Sequence, residues 1–105
     1  MEEFVLMNLL LDFYGQLLTD RQQDVCRMYY EENLSLAEIG TEMKVTRQAV
    51  HDMLRRAGSA LNTYEEKLGL VKRFQEQQKE LKRIKDILTS GDVSEAMPRL
   101  ERLIY

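Results

Sequence analysis

Seven polar side chains fall within eleven residues: Thr46, Arg47, Gln48, His51, Asp52, Arg55 and Arg56. On a helix, steps of three and four bring Arg47, Gln48, His51 and Arg55 to one face. That set suits nucleic acid, because Arg pairs in a bidentate way with guanine, Gln with adenine, and either can reach a phosphate. Asp52 counts against it, since a carboxylate on the same face repels phosphates. The same seven residues would also serve as the solvated outer face of an amphipathic bundle helix, with no ligand at all. A catalytic reading of His51 lacks support. No Ser or Cys stands at a recognisable spacing from it, and no Gly-rich phosphate loop occurs. Cys26 is the only cysteine and His51 the only histidine, so neither an internal disulfide nor a zinc site is expected. Cys26 reads as a buried small hydrophobe. The six Met residues sit mostly at core-facing helical positions, and no cofactor is expected.

Those side chains need a helix to carry them, and the local signals supply it. Thr19-Asp20-Arg21-Gln22 and Ser35-Leu36-Ala37-Glu38 are capping boxes, each opening a helix. The first helix buries Val25, Cys26, Met28 and Tyr29 and leaves through Asn33 in the left-handed conformation. The second is short and carries Leu36, Ile39 and Met43. Lys44 and Val45 make the turn, and Thr46 caps a longer helix with Ala49, Val50, Met53, Leu54, Ala57 and Leu61 inside. Gly40 stands on the short helix where the longer one crosses it, and Val45 anchors the turn. Three helix starts in about thirty residues, joined so tightly, predict a helix-turn-helix with Ile39, Val50 and Met53 buried at the crossing.

Upstream, residues 3–14 place Phe4, Met7, Leu10, Leu11 and Tyr14 at helical spacing, on a helix so apolar that the core or a partner must cover it. Downstream, Leu70, Phe74, Gln77, Leu81, Ile84 and Leu88 alternate steps of four and three, a short heptad seam. Thr89-Ser90-Gly91-Asp92 is a turn. Met97, Leu100, Leu103 and Ile104 form a last helical piece that begins near Pro98 or holds it in its first turn.

Charge is polarised along the chain. Residues 1–43 balance to −7, residues 44–85 to +6 and residues 86–105 to −2, for a net −3. The basic stretch begins where the third of these close-packed helices begins. Lys72, Arg73, Lys79, Lys82, Arg83 and Lys85 extend it. They are the solvated side of a coiled-coil helix or a contact for nucleic-acid backbone. With 105 residues, an apolar fraction of 44%, five Gly and one Pro, the composition predicts one all-α domain with an appended arm. The opening Met1-Glu2-Glu3-Phe4 has neither the positive start nor the cleavage site of a secretory signal, and Asn8 and Asp12 interrupt the apolar run. A cytoplasmic protein that makes no membrane contact is expected.

The stretch Leu18-Thr19-Asp20-Arg21-Gln22, then Leu34 through Gly40, then Val45-Thr46-Arg47-Gln48-Ala49-Val50, resembles region four of sigma factors. With Leu11-Asp12-Phe13-Tyr14 and Tyr64-Glu65-Glu66-Lys67-Leu68 added, the chain resembles the YlxM family of small bacterial proteins over roughly residues 5–85. The resemblance implies a regulator linked to the signal recognition particle genes. By the sigma-type analogy, Arg47, Gln48, His51 and Arg55 would face DNA. This sequence departs from the common pattern at Lys44, where Gly is usual, at Thr46, where Ser is, and at His51, where an aromatic is.

The expectation is therefore an all-α, sigma-region-four-like helix-turn-helix domain over 1–68, with its motif at 36–57, and a C-terminal arm over 69–105 that dimerises. It would be a non-enzymatic, nucleic-acid-binding regulator using Thr46, Arg47, Gln48, His51, Arg55 and Arg56 on DNA or RNA. Components of the signal recognition particle are expected partners. The alternative is a protein-interaction adaptor of the same pathway that uses the same fold without DNA.

Overall fold

The computed structural model describes residues 3–104, which form six α-helices and no strand. They are α1 (Glu3–Tyr14), α2 (Asp20–Cys26), α3 (Leu36–Met43), α4 (Arg47–Leu68), α5 (Leu70–Thr89) and α6 (Val93–Ile104). A 3-10 turn over Gly15–Leu17 follows α1, and a π-helical stretch over Arg27–Glu31 follows α2. The chain divides into two compact units at Gly69–Leu70.

In the first unit every helix start anticipated above is built as its residues dictate. The Thr19 hydroxyl accepts from Gln22 N–H while the Gln22 side chain accepts from Thr19 N–H, and Ser35 and Glu38 repeat the arrangement. Each box satisfies backbone donors that a helix N-terminus otherwise leaves open. Thr46 Oγ1 accepts from Ala49 N–H at 3.0 Å. Asn33 adopts φ 56°, the left-handed exit its short polar side chain tolerates.

The exit of α2 departs from the sequence reading. A simple α-helix was expected to run on past Cys26, but residues 27–31 widen into a π turn, with Glu32 N–H bonding Arg27 O and Leu34 N–H bonding Met28 O. Val25 and Cys26 remain buried as expected, whereas Met28 and Tyr29 are only half-buried.

Helix α4 is the axis of this unit, with α1, α2 and α3 packed on it. Ile39, Val25, Val50, Ala57 and Leu61 are wholly excluded from solvent, joined by Leu10, Tyr14, Leu18 and Cys26. Each such aliphatic side chain contributes about 1.5–3 kcal/mol by leaving water. Met53, expected inside, is half-buried. Tyr14 hides its ring and donates its hydroxyl to Glu65 Oε1 at 2.6 Å, so the apolar side of α1 carries a polar anchor. Gly69, in the left-handed conformation at φ 64°, ends α4 by donating to Glu65 O.

In the second unit α5 packs on α6, and Val71, Ile84 and Ala96 are buried. The expected seam is split: Ile84 turns inward while Leu81 and Leu88 are 43% and 44% exposed. Helix α6 begins earlier than Pro98 suggested. Asp92 Oδ1 accepts from Glu95 N–H and caps the helix at Val93, which leaves Pro98 in the second turn. The ring there removes the N–H that Ser94 O would accept.

Candidate nucleic-acid interface

The outward face of α4 owes its position to a tight corner. Val45 N–H donates to Gly40 O at 2.9 Å and Lys44 N–H to Thr41 O, with Lys44 left-handed at φ 59°. This is the Schellman closure of a helix end, with Lys where Gly is usual. A Cβ at residue 40 would lie 2.8 Å from Val45 O, so only Gly lets the corner approach α3 this closely. The chain then re-enters helix at Thr46, and Val50 inside against Ile39 fixes which side of α4 looks out.

On that side Arg47, Gln48, His51, Arg55 and Arg56 are exposed. Among the described residues, none of the three guanidiniums makes a hydrogen bond or an ion pair; each charge is held out on its stem with only water to satisfy it. Asp52 behaves otherwise. Gln48 Nε2 donates to its Oδ1 at 3.4 Å, and His51 Nδ1 lies 3.7 Å from the same oxygen. The carboxylate thus ties two neighbours together on the face that bears the arginines. Thr46 is exposed, and although its oxygen accepts the cap hydrogen bond, its hydroxyl proton and a second lone pair are left for a ligand.

Beside this face lies an open groove of about 590 Å³ that sequence reasoning did not find. His51 and Arg55 form one end, Asn62 and Glu66 continue the same side of α4, and Tyr29 and Tyr30 from the π turn stand opposite. The rings of Tyr29 and Tyr30 meet edge-to-face at 4.9 Å, and Phe4 lies 5.1 Å from Tyr30. The spacing of His51, Arg55, Ser59, Asn62 and Glu66 along one helical stripe was visible in the sequence. The facing tyrosines were not, because their direction depends on the π turn.

Titration adds little chemistry. Burial pushes the Cys26 thiol up to about 11, so it stays protonated and unreactive near neutrality. Burial first, then the neighbouring Cys26, Tyr29 and Glu3, raises Tyr30. The Ser35 backbone and hydroxyl hydrogen bonds hold Glu38 below the usual carboxylate range. Among the described residues no cluster of three or more His, Cys, Asp or Glu is placed to hold a metal ion, and no helix is long and apolar enough to cross a membrane.

Sequence comparison places these features in a lineage. Residues 1–99 match the UPF0122 family, described as "Putative helix-turn-helix protein, YlxM / p13 like". A UPF0122 protein of Desulforamulus reducens is 50% identical over 102 residues, covering 97% of this chain and 87% of the relative. One from Symbiobacterium thermophilum is 46% identical over 95 residues, covering 90% and 89%. One from Bacillus cereus is 40% identical over 105 residues, covering 99% and 96%. With a capped, glycine-cornered helix-turn-helix at its centre, this chain belongs to the UPF0122 family of YlxM/p13-like helix-turn-helix proteins.

Proposed function

We propose that this chain is a cytoplasmic regulatory protein of the signal recognition particle pathway that binds DNA or RNA through the outward face of α4. The single observation that carries the reading is the set of uncommitted guanidiniums of Arg47, Arg55 and Arg56. Three charges of one sign stand here beside Gln48 and His51, open to solvent and able to neutralise phosphates. The face presents donors for phosphates and base edges, and the acidic residues before Lys44 lie outside the recognition helix. The pathway assignment rests on the family resemblance.

The test is direct. Arg47→Ala weakens a preferred site by about 1–3 kcal/mol if the contact is bidentate. Asp52→Asn strengthens binding to any polyanion by removing a repulsive charge. Should both variants bind as the wild type does, the recognition-face reading is wrong and the adaptor reading replaces it. That reading draws on another observation, the exposure of Phe4, Val5, Leu6, Phe13 and Leu17 in the first unit.

The homodimer belongs to the same proposal. Leu81 and Leu88, one heptad apart on α5, and Val93, Met97 and Ile104 on α6 are all exposed. A second copy offers the same knobs at the same spacing. Light scattering at micromolar concentration should give twice the chain mass; a monomer mass removes the dimer.

A further inference from the structure

We propose that the groove between α4 and the π turn receives an unpaired nucleobase from a single-stranded segment, so that the protein grips nucleic acid where a duplex is opened or absent. The proposal rests on the nucleic-acid reading of α4 and goes beyond it in naming the form of the ligand. Three observations carry it.

The first is the aromatic wall. Tyr29 and Tyr30 are half-buried and held edge-to-face at 4.9 Å, and Phe4 backs Tyr30 at 5.1 Å. A ring fixed in this way offers a π-face to a base with little ordering left to do. Neither tyrosine hydroxyl makes a hydrogen bond among the described residues, although a half-buried hydroxyl usually finds one. Both are therefore available to a ligand.

The second is the opposite side. His51, Arg55, Ser59, Asn62 and Glu66 follow one another along α4 and line the groove. Arg55 is donor-only, Asn62 both donates and accepts, and Glu66 accepts. A base edge carries donors and acceptors side by side, so a graded stripe of this kind can pair with it. It suits a phosphate less, because Glu3 and Glu66 line the groove against the single guanidinium of Arg55. The lining likewise disfavours the apolar face of a partner helix, which would leave Arg55, Asn62 and Glu66 stranded against hydrocarbon.

The third is continuity. His51 and Arg55 belong both to the outward face of α4 and to the mouth of the groove. A strand whose backbone runs along Arg47 and Arg55, about 80° apart around α4, therefore passes the opening, and a base turned out of it enters between the tyrosines and α4. The volume of about 590 Å³ accommodates a planar base with water to spare.

The test uses the full chain and three probes: a short single-stranded RNA carrying a fluorescent adenine analogue, its DNA counterpart, and a duplex of the same sequence. Tyr29→Leu removes the π-face and keeps apolar volume. It should weaken single-strand binding by roughly 5- to 150-fold, abolish quenching of the analogue, and leave duplex binding unchanged. Asn62→Ala, on an exposed helical position where folding is not at stake, should weaken the single strand by roughly two- to tenfold. If both variants hold the single strand as tightly as wild type, or if only the duplex binds, the groove proposal falls while the α4 reading stands, provided Arg47→Ala still weakens the duplex. If no probe binds the wild type, both fall together. A free mononucleotide that quenches and binds as well as the oligonucleotide would overturn the strand in favour of a soluble nucleotide.

Discussion

The two units dispose of their side chains in opposite ways. In the first, Ile39, Val50, Ala57 and Leu61 are sealed from water while Arg47, Arg55 and Arg56 stand without partners. In the second, Leu81, Leu88, Val93, Met97 and Ile104 lie open while two of the arginines converge on one carboxylate. Glu80 takes both Arg83, at 3.1 Å, and Arg99, at 3.5 Å, and Arg99 also approaches Glu95. What each unit leaves open differs in place: the first presents the arginines of α4 and, apart from them, the apolar residues Phe4, Val5 and Leu6 of α1, whereas the second presents an apolar row along α5 and α6. Either arrangement alone is common.

The sharpest way to break this contrast is in the core. Ile39→Ala should cost about 2–5 kcal/mol in denaturant unfolding, since the buried crossing cannot collapse around the loss. Leu88→Ala, measured as a monomer at low concentration, should cost under about 0.5 kcal/mol, as an open position does. Equal losses would erase the distinction between a sealed and an open unit. Next in size is Gly40→Ala, whose new methyl meets the backbone oxygen of Val45 at 2.8 Å. Opening that corner should cost about 1–3 kcal/mol and lower nucleic-acid affinity in step, because the same corner aims α4. A stability loss with unchanged affinity would separate the corner from the recognition face.

Smaller again is Glu80→Gln. It removes the negative charge that faces both arginines, yet these groups are partly exposed and screened, so unfolding should shift by less than about 1 kcal/mol. What should change more is polyanion binding by the second unit, since Arg83 and Arg99 are released; no change there means those arginines were never restrained. The smallest effect concerns acid. The Glu38 carboxyl is held below its ordinary range by Ser35, so its contribution is present above the unfolded-state value and is lost as pH falls through the folded one. The protection of amides at the start of α3, relative to their intrinsic exchange rates, should therefore fall as pH drops through and below the ordinary glutamate range, and Ser35→Ala should flatten that response. Identical profiles for the two proteins would show the box to be dispensable.

Much of this architecture could be read from local chemistry. Thr19 with Gln22, Ser35 with Glu38, and Thr46 alone each declare a helix start through atoms only a few residues apart, and Asn33 declares an exit. Such signals survive folding because they do not depend on distant partners. The misreadings share the opposite property. Ile84, Leu81 and Leu88 are indistinguishable as apolar residues on a seam, and only the position of α6 decides which is covered. Pro98 suggested a boundary, but Asp92 supplied a stronger one six residues before it. At the candidate site, the four-residue step from Gln48 to Asp52 was open to inspection and foretells their hydrogen bond, yet Asp52 looked like a stray repulsive charge. The groove was out of reach, since half of it stands on a stretch of backbone without a sequence signature.

That stretch has a consequence for how this chain can vary in length. A π turn holds one residue more than the α-helical turn it replaces, so residues 27–31 contain a surplus that the helix can surrender. Removing one residue there would let α2 run straight through in ordinary register, with its capping box and the buried Val25 untouched. The fold would close normally and the chain beyond residue 31 would keep its place, but the widened turn that carries Tyr29 and Tyr30 would be gone. A homologue one residue shorter at this point would keep the helix-turn-helix and lose the aromatic wall, so a length difference of a single residue could separate two binding behaviours on one scaffold.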